Sequence, residues 1–185
     1  MRRPDRYVVL LVIVLVAVAV LARRLPVLAP RTAGRAPTPR AAGPSSPATP
    51  TAWWATVAST IDGDTIEIVR DGRTRRARLY GIDCPEGDQR FGEEARAFTQ
   101  RLVSSARVRI VPRDTDSYGR LVVEVRTADG KRVSAELVAA GLAWWYRHYA
   151  PDDVQLRDLE AQARAAHRGL WADPNPVPPW TWRKR

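Results

Sequence analysis

Residues 7–22 are sixteen consecutive apolar side chains, with Arg2, Arg3 and Arg6 before them and Arg23 and Arg24 after. A run with no polar face cannot form one layer of a water-facing globular core. As a helix it spans ~24 Å, a little short of the ~30 Å hydrocarbon thickness of a bilayer. Arginines at both ends extend that reach by snorkelling. Residues 1–24 therefore read as an N-terminal membrane anchor or signal segment. A positive start and apolar middle also suit a secretory signal. Ala17-Val18-Ala19 resembles a cleavage pattern but lies inside the run rather than after it. The favoured reading is a transmembrane helix in the cell membrane, single-pass, with the rest of the chain outside the cytoplasm. The alternative is a secreted protein released by signal cleavage.

Residues 25–52 carry prolines at 26, 30, 37, 39, 44, 47 and 50, with Ala, Ser, Thr, Gly and Arg between them. No periodic apolar face offsets the entropy of ordering such a segment, so it reads as a disordered linker. Folding is left to residues 53–173, followed by a tail at 174–185. That is enough chain for one core without staples. The net charge of +10 is less informative than it looks. Eight arginines and one acid lie in residues 1–52, which leaves +3 for residues 53–185. The functional case must therefore rest on positioned residues. Cys84 is the only cysteine, and His148 and His167 are the only histidines. An internal disulfide and Cys/His zinc clusters are excluded. No Gly-x-Ser-x-Gly elbow offers a serine nucleophile. The chemistry left is that of carboxylates, arginines and a metal.

Residues 53–58 and 65–69 alternate and are rich in β-branched side chains, and Asp71-Gly72 is a hairpin signal that returns the chain through residues 73–80. Residues 92–103 predict a helix with Ala95, Phe98 and Leu102 on its apolar face. Residues 108–111 and 121–125 predict further strands, and Ala128-Asp129-Gly130 a turn. Ser134 is placed to cap a short helix that ends at Gly141. Residues 144–146 read as extended. Asp152 or Asp153 opens a last helix with Leu156, Leu159, Ala163 and Ala166 facing the core, closed by Gly169. About five short strands with interspersed helices predict a mainly β, α+β fold: a small barrel with about three packed helices. For Trp144, Trp145 and Tyr146, core packing is favoured over stacking on bases. A frayed tail is favoured for Trp180 and Trp182 beside Arg183-Lys184-Arg185.

Three segments combine into one chemistry: Asp62-Gly63-Asp64-Thr65, Arg78 through Ile82-Asp83-Cys84-Pro85-Glu86, and Asp116-Ser117-Tyr118-Gly119-Arg120. Phosphodiester hydrolysis needs neutralised phosphoryl oxygens, an oriented water and a proton acceptor. Arginine forks match phosphate and stay charged. Aspartates at strand ends seat a hard cation through oxygen, which suits Ca²⁺.

These segments, in this order, resemble the thermonuclease (staphylococcal nuclease-like) family. The resemblance runs from about Ala55 to Trp171 and includes Leu142-Ala143-Trp144, Glu160-Ala161-Gln162-Ala163 and Gly169-Leu170-Trp171. It implies an OB-fold-type five-stranded barrel and a calcium-dependent hydrolase, a nuclease or endonuclease acting on DNA, RNA or both and leaving 3′-phosphates. By matching motif, Asp64 and Asp83 resemble the metal-binding carboxylates, and Cys84 occupies the position of a main-chain carbonyl ligand. Arg78 and Arg120 resemble the phosphate-clamping arginines, Glu86 the acid that activates water, and Tyr118 an aromatic neighbour of the substrate phosphate. Two positions depart from the family pattern: Cys84 stands where threonine is usual, and Ser117 where lysine is frequent. The expected partners are a nucleic-acid substrate and, through the N-terminal segment, a membrane; the chain is expected to act as a monomer. From a different class, the same barrel would serve as a non-catalytic module that binds nucleic acid or a partner. Such a module has no need of Arg78, Glu86 and Arg120 together with both aspartates.

Overall fold

The computed structural model describes residues 51–104 and 107–185. The hydrophobic segment and residues 25–50 of the linker lie outside the described residues, among which no helix is long and apolar enough to cross a membrane.

Five strands close into a barrel: β1 (Trp53–Thr60), β2 (Thr65–Arg70), β3 (Arg73–Leu79), β5 (Val108–Thr115) and β6 (Leu121–Arg126). Their order around the barrel is β1-β2-β3-β6-β5. Every pairing is antiparallel except β3 with β6, which is parallel. This is the OB-type arrangement that the family resemblance implies. Alternation explains why these segments form strands. Ile66 and Ile68 on β2, Ala77 and Leu79 on β3, Val108 and Ile110 on β5, and Val123 and Val125 on β6 all point into the barrel and are buried. The β2–β3 turn is the expected Asp-Gly pair, with φ of 51° at Asp71 and 72° at Gly72, the hand that matches strand twist. Strand β5 runs past the expected end at Val111. Pro112 is accommodated because the register shifts between Pro112 and Asp114, and a bulge tolerates a residue without an N–H.

Three helices pack on this barrel: α1 (Gly92–Val103), α2 (Val133–Ala139) and α3 (Val154–Ala165). Helix α1 has its predicted bounds, but its buried stripe is Ala95, Thr99 and Val103, with Phe98 and Leu102 only partly covered. The expected cap of α2 is corrected. Arg132 holds the N-cap position, and Ser134 is buried inside the first turn, where its hydroxyl donates to the Tyr80 carbonyl (3.0 Å). Asp153 caps α3 by accepting from the Leu156 N–H (3.1 Å). The same carboxylate takes the Arg132 fork (2.5 and 3.1 Å), so one acid ties the starts of both helices together. Leu156 and Ala163 of α3 are buried, whereas Ala166 is exposed past the helix end.

A two-stranded ribbon, β4 (Ile82–Asp83) against β7 (Trp144–Trp145), carries Asp83 and Cys84 beside the barrel. Trp144 packs edge-on against Trp171, which confirms the core-packing expectation for it. The C-terminal residues are not frayed. A 3₁₀ turn (Gly169–Ala172) leads into a proline-rich segment and a one-turn helix, α4 (Pro179–Trp182). Trp180 of that turn stacks on Tyr146 at 5.1 Å and 8°.

Candidate active site

The first half of the site is set by the turn between β1 and β2. The Asp62 carboxylate accepts from the Asp64 N–H (2.9 Å), an Asx turn that a short acidic side chain makes with its own backbone. Gly63 is required by space. A Cβ there would lie 2.7 Å from the Cβ atoms of Ala95 and Cys84. Thr99 on α1, fully buried, donates its hydroxyl to the Gly63 carbonyl (2.6 Å) and locks helix to turn. The Asp64 carboxylate is thereby buried on the barrel surface facing Cys84.

Arg78 is the cross-strand partner of Thr65 and reaches both aspartates. Its Nη1 donates to Asp64 Oδ1 (2.8 Å) and its Nη2 to Asp83 Oδ1 (2.5 Å). Asp64 also accepts from the Thr65 hydroxyl (3.1 Å) and the Cys84 N–H (2.9 Å). Burial pushes the Asp64 carboxyl up to about 6 against the pull of Arg78, with neighbouring Asp62 adding to the rise. Burial likewise raises Asp83. Burial also opposes the charge of Arg78, but the two carboxylates outweigh it and hold the guanidinium protonated. The Cys84 thiol is pushed well above its ordinary value by burial and three nearby acids, so it stays neutral.

Glu86 lies on the loop between β4 and α1, and its carboxylate is half exposed. Gln89 accepts from the Glu86 N–H (3.3 Å) through its side-chain oxygen. Gly92 opens α1 so close to this loop that a Cβ would stand 1.9 Å from the Glu86 carbonyl oxygen. The third segment lies apart. Arg120 is held by Asp116, whose Oδ1 accepts the Arg120 N–H (2.9 Å) and whose Oδ2 accepts Nε (2.7 Å). Tyr118 is exposed beneath the Arg120 guanidinium. Arg78 is level with Val122 on the parallel neighbour, and Arg120 lies two residues before Val122. Arg120 thus immediately precedes the stretch of β6 that pairs with the Arg78 segment of β3. Asp64, Arg78, Asp83 and Cys84 are thus linked by hydrogen bonds, Glu86 is joined to Asp83 through Arg183, and Arg120 with Tyr118 lies at the start of β6 without bonding to them.

The donor set suits a hard cation. A carboxylate offers about four acceptor positions, and Asp64 and Asp83 each accept three donors. Each keeps capacity for one more partner, and crowded buried acids gain from a positive charge. Among the described residues no group of three His, Cys, Asp or Glu side chains is arranged to hold a metal.

Arg183 is a site residue that the sequence reading missed. Its Nη2 donates to Asp83 Oδ2 (2.7 Å), and its Nη1 donates to Glu86 Oε1 (2.5 Å) and reaches Asp83 Oδ1 (3.3 Å). The available signal was the pair of tryptophans just before it, since aromatic residues amid prolines mark a segment that docks.

Residues 76–173 match the model of a family described as staphylococcal nuclease homologue. An uncharacterized endonuclease of Escherichia coli O157:H7 is 41% identical over 129 residues, covering 70% of this chain and 84% of that protein. Protein ParB of Escherichia coli is 41% identical over 133 residues, 67% of this chain and 75% of its own length. A micrococcal nuclease of Shigella flexneri is 37% identical over 133 residues, 67% and 76% of the two chains. With the barrel order, the Asp64–Arg78–Asp83 cluster and these matches in agreement, the chain belongs to the staphylococcal nuclease homologue family.

Proposed function

We propose that the protein is a calcium-dependent nuclease that hydrolyses phosphodiester bonds of DNA, RNA or both. The observation that carries this reading is one guanidinium, Arg78, bridging two buried aspartates beside a half-exposed glutamate. Asp64, Asp83 and the main-chain carbonyl of Cys84 would hold Ca²⁺, which when bound neutralises charge on a phosphoryl oxygen. Glu86 takes the proton of the attacking water. Arg78 and Arg120 stabilise the negative charge that grows on the phosphoryl group. The water oxygen bonds to phosphorus as the bond to the 5′-oxygen breaks; the 5′-oxygen leaves as a hydroxyl with a proton from solvent, and the phosphate stays on the 3′ side. Tyr118 borders the substrate phosphate beside Arg120.

Charge distribution supports a polyanionic substrate. Residues 65–79, the β2–β3 hairpin that carries Arg78, hold five arginines against two acids. That excess equals the whole net charge of residues 53–185, so it is concentrated next to the site. Residues 7–22 would tether the domain at the cell membrane, outside the cytoplasm. The mass of the mature protein decides between an anchor and a cleaved signal.

The direct test is digestion of single-stranded DNA and RNA by the purified protein with Ca²⁺ and with a chelator, for wild type and Glu86→Gln. Cleavage should vanish in chelator. Loss of the proton acceptor should lower kcat by ~10²–10⁴-fold. Undiminished cleavage in chelator would remove the metal from the reading. Nucleic-acid binding without cleavage under any condition would favour the binding module.

A further inference from the structure

The loop that carries Glu86 has no strand or helix of its own to hold it. The C-terminal segment supplies that support, contacting four loop residues in turn. Glu86 takes Nη1 of Arg183, and Asp88 accepts Nε1–H of Trp182 (3.1 Å). Gln89 donates to the Val177 carbonyl (2.5 Å) while accepting from the Glu86 N–H, and Arg90 faces Asp173 (3.4 Å). The segment is itself fixed. Prolines at 174, 176, 178 and 179 limit its backbone freedom. Trp180 is stacked on Tyr146 and set edge-on to Trp144 (5.6 Å), which is the strand partner of Asp83. The strap therefore touches both the element that carries Asp83 and the loop that carries Glu86.

We propose that Arg183 is a positioning residue for hydrolysis, holding the Glu86 carboxylate at a fixed place relative to Asp83. This rests on the role given to Glu86 above. A guanidinium is a planar, rigid fork, and this one reaches both oxygens of Asp83 and one of Glu86. It thereby fixes the separation of the acid that meets the water from an acid that holds the cation. A lysine ammonium has the charge but not the span. The strap enters the reaction through geometry, and a small displacement of a reacting group is costly.

The test uses the full chain, purified in detergent, on single-stranded DNA at saturating Ca²⁺. Four variants are compared with wild type: Arg183→Gln, Arg183→Lys, Glu86→Gln and Glu86→Gln/Arg183→Gln, each checked for an unchanged thermal transition. Arg183→Gln should lower kcat by ~10²-fold with KM altered only a few-fold, and Arg183→Lys should recover only part of the loss. The double variant should be no slower than Glu86→Gln alone, because a residue acting through Glu86 has nothing left to act on. A calcium titration followed by tryptophan fluorescence gives a readout independent of turnover; its midpoint should not tighten in Arg183→Gln. Normal turnover in Arg183→Gln with a slow Glu86→Gln overturns this inference alone. Losses that simply add also overturn it. Faster turnover or tighter calcium binding in Arg183→Gln overturns it too, and makes the strap a cover that competes with the cation. Wild-type turnover in Glu86→Gln removes the role of Glu86 and this inference together.

Discussion

The two halves of the site are held by different physics. Asp64, Arg78 and Asp83 sit on strands or at their ends, buried, each bonded to neighbours that the barrel and its ribbon fix in register. Glu86 sits on a loop, half exposed, fixed by a helix start on one side and the C-terminal strap on the other. In the first half, charge is buried and must be balanced for the domain to fold. In the second, the carboxylate is half exposed and paired with Arg183, so little buried charge depends on it. Stability and activity should therefore fail together in one half and separately in the other.

Arg78→Met makes the sharpest test of that difference. It keeps much of the side-chain volume, leaves the buried Asp64 without its cation and leaves Asp83 with Arg183 alone. Breaking a buried ion pair by removing one partner costs about 3–5 kcal/mol. Loss of a charge-stabilising donor costs activity on the order of 10²–10³-fold. Added Ca²⁺ should return more of the lost stability in this variant than it adds to wild type, because a cation can stand between the same two acids. Denaturant unfolding with and without Ca²⁺ measures this. Glu86→Gln, in the other half, should leave the unfolding midpoint nearly unmoved. Equal stability loss in both variants would erase the distinction.

The same division governs what can be read from the sequence. Strand alternation, the Asp71-Gly72 turn and the span of α1 are local signals, and each appears where the residues put it. Asp64, Arg78 and Asp83 are legible because each belongs to a short motif at a strand end. The strap is not. Residues 173–183 have no periodicity, and what orders them is contact with residues some 90 positions away, such as Gln89 with Val177. Ser134 fails as a cap for a related reason. Its hydroxyl had a backbone choice within its own helix and a distant one at Tyr80, and packing selected the distant one. Pro112 looked like the end of a strand because the bulge that admits it exists only in the paired sheet.

Gly92→Ala tests the loop half without touching any charged group. The added methyl has no room against the Glu86 carbonyl, so the loop and the helix start must separate. A displacement of about 1 Å in a reacting group costs on the order of 10²-fold in rate. The expected outcome is a large fall in kcat with a modest change in unfolding midpoint, read from single-turnover rates and thermal melts of the same samples. A variant as active as wild type would mean that the position of Glu86 is not set by this contact.

The smallest effect belongs to Cys84, which lies on the boundary between the halves. Its N–H donates to Asp64, and its side chain packs against Gly63. The thiol is buried, and burial with three nearby acids pushes it above its ordinary value, which favours the neutral form. The role proposed for this position is that of a main-chain donor, and Cys84→Thr leaves the main chain in place. The new hydroxyl enters a buried space; left without a partner it costs about 1–3 kcal/mol of stability. Turnover and the calcium midpoint should nevertheless stay within a few-fold of wild type, since both depend on the backbone and the neighbouring acids. A fall in kcat of ~100-fold, equivalent to ~2.7 kcal/mol of transition-state stabilisation, in a protein that still melts cooperatively would show that the sulfur takes part. Unchanged turnover beside a lower melting temperature would place Cys84 with the strand-held half, where its side chain serves the fold and its main chain serves the site.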